Sequence, residues 1–184
     1  NLGEKDIEIN PQITNYLSHI NKTIFLSSNL QINDSFPVKI NRYVLKECFV
    51  SGHTIKIVFL GILSESLLNK AVLDNVNVDD PAQALKPLVQ EFQEKANLIV
   101  LLSHAPLEES IEIAKLFPQI GLVITGHNND NPIDSITYIN NTPVVSPGRE
   151  GKYMGIAEYF INNSLMERKS VEVIPLDSKY EDSP

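Results

Sequence analysis

The sequence of 184 residues contains a single cysteine, Cys48. One thiol cannot form a disulfide within the chain, and it cannot supply a cysteine cluster for zinc. Covalent haem attachment within this chain is also excluded, because it requires a Cys-x-x-Cys-His run. Cys48 lies within residues 43–50, a stretch that is typical of a strand. We therefore expect a buried structural cysteine rather than a reactive one.

Positive charge is scarce as well. The chain has 15 Lys and Arg against 23 Asp and Glu, which gives a formal net charge of −8. An acidic chain is repelled by phosphate-rich surfaces, so we expect neither nucleic acid nor an anionic membrane as its main partner. A small phosphorylated ligand at a local site stays compatible with this charge. No run of 18 apolar residues occurs, so no membrane span is expected.

The length is that of one domain with its own hydrophobic core. We predict a single domain over residues 1–184, with a frayed polar tail over residues 178–184. The sequence starts at Asn1 without a methionine or a visible signal peptide. We therefore expect a processed or partial product, for which the lack of a signal says nothing about export.

The first part of the sequence predicts a helix, a β-rich run and a hairpin. An Asn-Pro pair opens the predicted helix over residues 10–20, and residues 23–30 are rich in β-forming residues. Arg42–Val50 and Thr54–Leu60 are two stretches rich in β-branched and apolar residues that flank the turn residues Ser51-Gly52-His53. This arrangement predicts a β-hairpin, in which the turn accounts for the histidine without any chemical role.

Helices and strands then alternate. The longest predicted helix begins with the cap Asp79-Asp80-Pro81 and should be kinked at Pro87. A strand over Leu98–Ser103, a helix over Leu107–Phe117 and a strand over Leu122–Thr125 follow. Both strands are apolar on both faces, as expected for central strands that are covered by helices.

The last part of the sequence predicts strands only. The expected strands are Ser135–Ile139, Pro143–Ser146, Tyr153–Ile161 and Lys169–Ile174, with turns at Asn140-Asn141 and Asn162-Asn163. A strand–helix part followed by antiparallel strands predicts an α/β fold in which two stacked mixed β-sheets are flanked by helices.

Two histidines follow neighbouring predicted strands. His104 comes directly after one buried strand, and Gly126-His127 comes after the next. Ligands gather at the carboxyl ends of strands in open α/β sheets, so two imidazoles there could share a metal. Either histidine is equally typical of a turn or a cap residue, and two ligands are fewer than the three of a catalytic zinc site.

These residues form part of a longer resemblance. Five segments, in this order, are similar to segments of the calcineurin-like metallophosphoesterase domain of 5′-nucleotidases and UDP-sugar hydrolases: Phe25-Leu26-Ser27-Ser28-Asn29-Leu30, Ser103-His104, Gly126-His127-Asn128-Asn129, Pro143-Val144-Val145 and Gly151-Lys152-Tyr153-Met154-Gly155. The resemblance implies the later part of a four-layer α/β/β/α domain. It also implies a divalent metal, Mn, Zn or Mg, at His104 and His127, with Asn129 at the position of a further ligand histidine.

The departures from the family pattern are specific. The family's Asp-x-His and Gly-Asp ligand motifs have no counterpart in this chain. Its Gly-Asn-His-Glu-Phe-Asp motif corresponds to residues 1–6, which keep Glu4 and Asp6 but have Gly3 in place of the catalytic histidine. The resemblance therefore leaves Asp6 as the one catalytic candidate. Hydrolysis at a two-metal site requires both cations, so we do not expect that chemistry from this chain alone.

Three interpretations follow. The first is a degenerate, non-catalytic binding or structural module of this family. The second is an active phosphoester hydrolase whose remaining ligands come from a segment preceding Asn1 or from another polypeptide. The third is an α/β binding domain of an unrelated family. The residues 1–6 are also similar to degenerate family members linked to exported multihaem cytochromes, which implies such a cytochrome as a partner and a periplasmic or extracellular location.

Overall fold

The computed structural model describes residues 1–8, 15–16, 19, 23–32, 39–69, 76–127, 136–148, 150–162, 165–178 and 180. Its helices are α1 (Glu4–Glu8), α2 (Pro81–Phe92) and α3 (Leu107–Leu116), with one 3-10 turn at Glu65–Leu67. Its strands are β1 (Phe25–Leu26), β2 (Leu30–Ile32), β3 (Ile40–Asn41), β4 (Tyr43–Val50), β5 (His53–Leu63), β6 (Val76–Val78), β7 (Leu98–His104), β8 (Leu122–Thr125), β9 (Thr137–Ile139), β10 (Thr142–Val145), β11 (Tyr153–Asn162) and β12 (Leu165–Pro175).

A six-stranded mixed sheet forms the centre of the fold, in the order β4-β5-β7-β8-β10-β9. The four inner strands run parallel, and the two edge strands β4 and β9 are antiparallel to their neighbours. All carboxyl ends of the parallel strands therefore meet at one edge of the sheet, which is where a ligand site is expected.

Apolar side chains cover both faces of this sheet. On one face α2 and α3 pack against the inner strands, in a core that includes Leu85, Phe92 and Leu101. On the other face the hairpin β11–β12 places Val171 against Val100 and neighbouring residues. The molecule is thus a mixed α/β fold with a central sheet, helices and a second sheet, as the sequence predicts.

The individual elements follow local sequence signals. The Asp80 side chain caps α2 by accepting a hydrogen bond from the Gln83 N–H at 2.8 Å, and Pro81 opens the helix. The helix continues through Pro87. The hairpin β4–β5 closes on a two-residue loop in which Ser51 and Gly52 both have positive φ, so His53 belongs to the strand and not to the turn.

Two predictions fall mainly on residues that are not described. Of the helix predicted over residues 10–20, only residues 15, 16 and 19 are described, and these are helical. Of the tail over residues 178–184, only residues 178 and 180 are described. In the described part of the chain, none of the helices combines the length and apolar character that crossing a membrane requires.

The prediction of a buried Cys48 is wrong, because this residue is exposed. β4 is an edge strand with only β5 beside it, and most of its side chains reach solvent. We therefore expect the native protein to react with one equivalent of a thiol reagent at a rate close to that of the unfolded chain. Spectrophotometric thiol titration with and without denaturant measures this. The variant Cys48→Ser is the blank, and labelling that requires denaturant would contradict the exposed position.

Candidate metal centre

His104 and His127 lie side by side at the carboxyl edge of the central sheet. His104 is the last residue of β7, and His127 follows β8 after one glycine. The strands pair in parallel with Ser103 opposite Thr125, which brings both histidines to the same edge. The centroids of the imidazole rings are 5.3 Å apart, with the ring planes inclined at 67°.

A third side chain, from the first helix, completes a cluster with these histidines. The Glu4 carboxylate is hydrogen-bonded to Nε2 of His104 across 100 residues of sequence. One ligand atom from each of Glu4, His104 and His127 lies within 4.8 Å of the other two. The Glu4 and His104 side chains are largely shielded, with 14% and 23% of their surface exposed.

The residues before α1 hold Glu4 in this position. The Asn1 side chain donates hydrogen bonds to the Ile62 carbonyl at 2.8 Å and the Leu102 carbonyl at 3.0 Å, on β5 and β7. Leu2 is fully buried, and its N–H donates to the Leu26 carbonyl at 3.0 Å. This segment is thus fixed across the edge of the sheet where His104 lies.

Gly3 packs directly against the His104 ring. A Cβ atom on Gly3 would lie 2.8 Å from Cε1 and 2.9 Å from Nε2 of His104, closer than side chains approach one another in proteins. Gly126 approaches the same ring with more space, since a Cβ there would lie 3.5 Å from Nδ1. A Cβ atom at position 3 would therefore require the His104 ring or the residues around it to shift.

Opposing effects act on the Glu4 carboxyl group. Burial raises its pKa, whereas the hydrogen bond to His104 and the nearby charges of His104 and His127 lower it. The net result is a pKa below the usual value for glutamate. Glu4 is consequently an anion at neutral pH, which is the form that binds a cation.

The structure describes three of the four residues that the sequence predicts for the site: His104, His127 and Asp6. His104 and His127 are brought together. Asp6 lies in α1, where its carboxylate accepts a hydrogen bond from the Gly3 N–H at 2.8 Å and so caps the helix. Its catalytic role stays a prediction. Asn129 lies outside the described residues.

Sequence reasoning did not select Glu4 as a site residue. The available signal was that Glu4 is kept within residues 1–6, a stretch that resembles a motif of the family. Only the path of the chain over β5 and β7 shows that this carboxylate reaches His104. The structure therefore adds Glu4 as a third candidate ligand beside the two predicted histidines.

No protein-family model matches the sequence. Among curated proteins, the trifunctional nucleotide phosphoesterase YfkN of Bacillus subtilis is 25% identical over 156 residues, and the match covers 79% of this chain and 10% of that protein. A Staphylococcus aureus structure assigned as a 5′-nucleotidase superposes with a TM-score of 0.77 at 18% identity, covering 99% of this chain and 39% of that one. A 5′-nucleotidase precursor from Thermus thermophilus gives a TM-score of 0.73 at 17% identity, covering 95% and 38% of the two chains.

These comparisons agree with the resemblance in the sequence. The chain has the calcineurin-like metallophosphoesterase fold in the form found in 5′-nucleotidases. It spans about a tenth of the length of the nucleotide phosphoesterase YfkN and under two-fifths of the length of the two solved structures.

The fold family implies divalent metals, and the clustered side chains fit one such ion. Two imidazole nitrogens and one carboxylate are a donor set that is used for catalytic zinc, with a further position left open. The three donor groups converge at one edge of the sheet, and the carboxylate supplies a negative charge. Glu4, His104 and His127 would hold the ion.

Proposed function

We propose that this chain is a 5′-nucleotidase-like metallophosphoesterase domain that serves as a non-catalytic binding or structural module with a single cation site. One observation carries the proposal. Across the described ranges, Glu4, His104 and His127 are the one group of three His, Cys, Asp or Glu side chains placed closely enough to hold an ion. A hydrolase of this type needs two cations held a few ångströms apart.

The local packing favours the same conclusion. The place of the family's catalytic histidine is taken by Gly3, and the His104 ring fills the space beside it. A bound cation would supply Lewis-acid polarisation of an oxygen ligand at the open position. Glu4 would bind the ion beside His104 and His127, and the low exposure of the Glu4 and His104 side chains would limit access of water.

The first experiment measures bound metal and phosphoester hydrolysis on the purified chain. We expect at most one equivalent of transition metal by mass spectrometric metal analysis. We also expect no hydrolysis of a nucleoside monophosphate or an aryl phosphate when Mn²⁺ is added. Two tightly bound metals per chain, or turnover that is lost in His104→Ala, would overturn the proposal.

A second candidate function is an active hydrolase in a longer protein. The short coverage of the relatives motivates it, because the relatives contain many residues with no counterpart here. In that case carboxylates from another segment would complete a two-metal site beside His104 and His127. Hydrolysis by the longer encoded protein with Mn²⁺, but not by this chain, would favour this candidate, and inactivity of both would exclude it.

Export and a multihaem cytochrome partner are also part of the proposal. Both rest on the similarity of residues 1–6 to degenerate members of the family. Size-exclusion chromatography of the chain mixed with a purified cytochrome of this class tests the pairing. Co-elution of haem absorbance with the chain would support it, and separate elution at micromolar concentrations would count against it.

A further inference from the structure

We infer that Glu4 is the third ligand of a single-cation site and that Gly3 is the positioning residue that makes this ligand set possible. The inference rests on the proposed function and deepens it, because it names the ligands and the class of cation. It also predicts that a side chain at position 3 weakens cation binding.

Gly3 and Glu4 both lie beside the His104 ring. Gly3 lies against the Cε1–Nε2 edge of the ring, and Glu4 binds the same Nε2 atom from the next position in the chain. A side chain at position 3 would occupy the volume of that ring edge. The ring is at the end of a side chain and can turn away, so a substitution should move His104 while the fold persists.

The main chain itself tolerates a side chain at position 3. The φ of Gly3 is not among the positive values found at Gly52, Gly148 and Gly151, so the backbone does not require glycine there. The three heavy atoms nearest to an added Cβ all belong to the His104 ring. Gly126 provides a matched comparison, since an added Cβ would meet the ring at 3.5 Å, an ordinary van der Waals distance.

The donor set selects a class of cation. Imidazole nitrogens suit Zn²⁺ and its neighbours among the first-row transition metals, whereas Mg²⁺ prefers oxygen ligands and retains several waters. With two imidazoles and one carboxylate, we expect Zn²⁺ to bind and Mg²⁺ not to compete at millimolar concentration. One carboxylate also gives too little negative charge to hold a second divalent ion nearby.

A His at position 3 and a Glu4–His104 contact exclude each other. An added Cβ at position 3 already meets the ring at 2.8 Å, so we expect a larger side chain there to displace His104 from Glu4. The variant Gly3→His, which restores the family's catalytic residue type, should therefore bind the cation more weakly than the natural chain. A chain that had only lost a catalytic residue would tolerate this change without losing metal.

The experiment is calorimetric titration of the whole chain with Zn²⁺ alone. We expect one equivalent to bind, Gly3→Ala to weaken binding by about 10–100-fold, and Gly126→Ala to leave it unchanged. Circular dichroism melting of each variant reports whether the fold is intact. Glu4→Gln keeps the shape of the side chain but removes its charge, so it should weaken binding to a similar degree. It is the replacement variant if Gly3→Ala does not fold.

Two results would overturn the inference. One is wild-type affinity in either variant: in Gly3→Ala it would remove the positioning role of Gly3, and in Glu4→Gln it would remove Glu4 from the ligand set. The other is equal weakening in Gly3→Ala and Gly126→Ala, which would indicate a general sensitivity of the sheet edge. Neither of these results involves hydrolysis. The proposed non-catalytic function would instead be overturned by hydrolysis or by a second bound metal, so the two failures can be told apart.

Discussion

His104→Ala is expected to abolish specific cation binding, with an affinity loss of at least about 100-fold. His104 stands between the other two donors, because its Nε2 contacts Glu4 and its ring lies beside that of His127. Its removal leaves one imidazole and one carboxylate, fewer than the three protein ligands of known catalytic sites. The loss should exceed the roughly 10–100-fold that removal of an outer-shell partner typically costs.

Equilibrium dialysis against Zn²⁺ measures this effect, and His53→Ala is the matched control. His53 is an exposed residue at the start of β5, next to the hairpin loop. The candidate metal centre lies at the other end of this strand, where Leu63 pairs with His104. The control should bind one equivalent with unchanged affinity. Tight binding by His104→Ala would show that the ion is held elsewhere, and loss of binding in both variants would indicate that surface histidines contribute.

Local signals in the sequence were sufficient for most of the fold. The cap at Asp80, the hairpin loop at Ser51-Gly52 and the turn at Asn140-Asn141 all depend on a few adjacent residues, and each is present in the structure. The inner strands were recognisable because burial on both faces makes them continuously apolar. Most element boundaries shifted by one or two residues, whereas β5 ends three residues later and β12 begins four residues earlier than the sequence predicts.

Long-range contacts were not accessible in the same way. Cys48 has the sequence surroundings of a buried strand residue, and only the strand order shows that β4 is at the edge of the sheet. Glu4 and His104 are similarly distant in sequence, and their contact depends on Asn1 and Leu2 crossing β5 and β7. The two histidines could be predicted because each follows its own strand, whereas the carboxylate could not.

Asn29→Ala is expected to have the largest effect on stability, a loss of about 3–5 kcal/mol in the free energy of unfolding. Asn29 is fully buried, and its side-chain oxygen accepts from the Leu63 N–H at 3.0 Å. Its side-chain nitrogen donates to the carbonyls of Leu63 at 2.9 Å and Asp79 at 3.0 Å. Alanine would leave three main-chain polar groups without these partners, each at a cost of about 1–3 kcal/mol if it stays dry.

The effect should extend to the metal centre, because Leu63 pairs in register with His104 and the next residue, Ser64, donates its N–H to the His104 carbonyl at 3.0 Å. Urea denaturation followed by circular dichroism measures the stability, and Asn77→Ala is the control of the same residue type. Asn77 makes an exposed hydrogen bond to Asp79, so its removal should change stability by less than about 0.5 kcal/mol. A similar small change in Asn29→Ala would mean that the strand end beside His104 is held by the β5–β7 ladder alone.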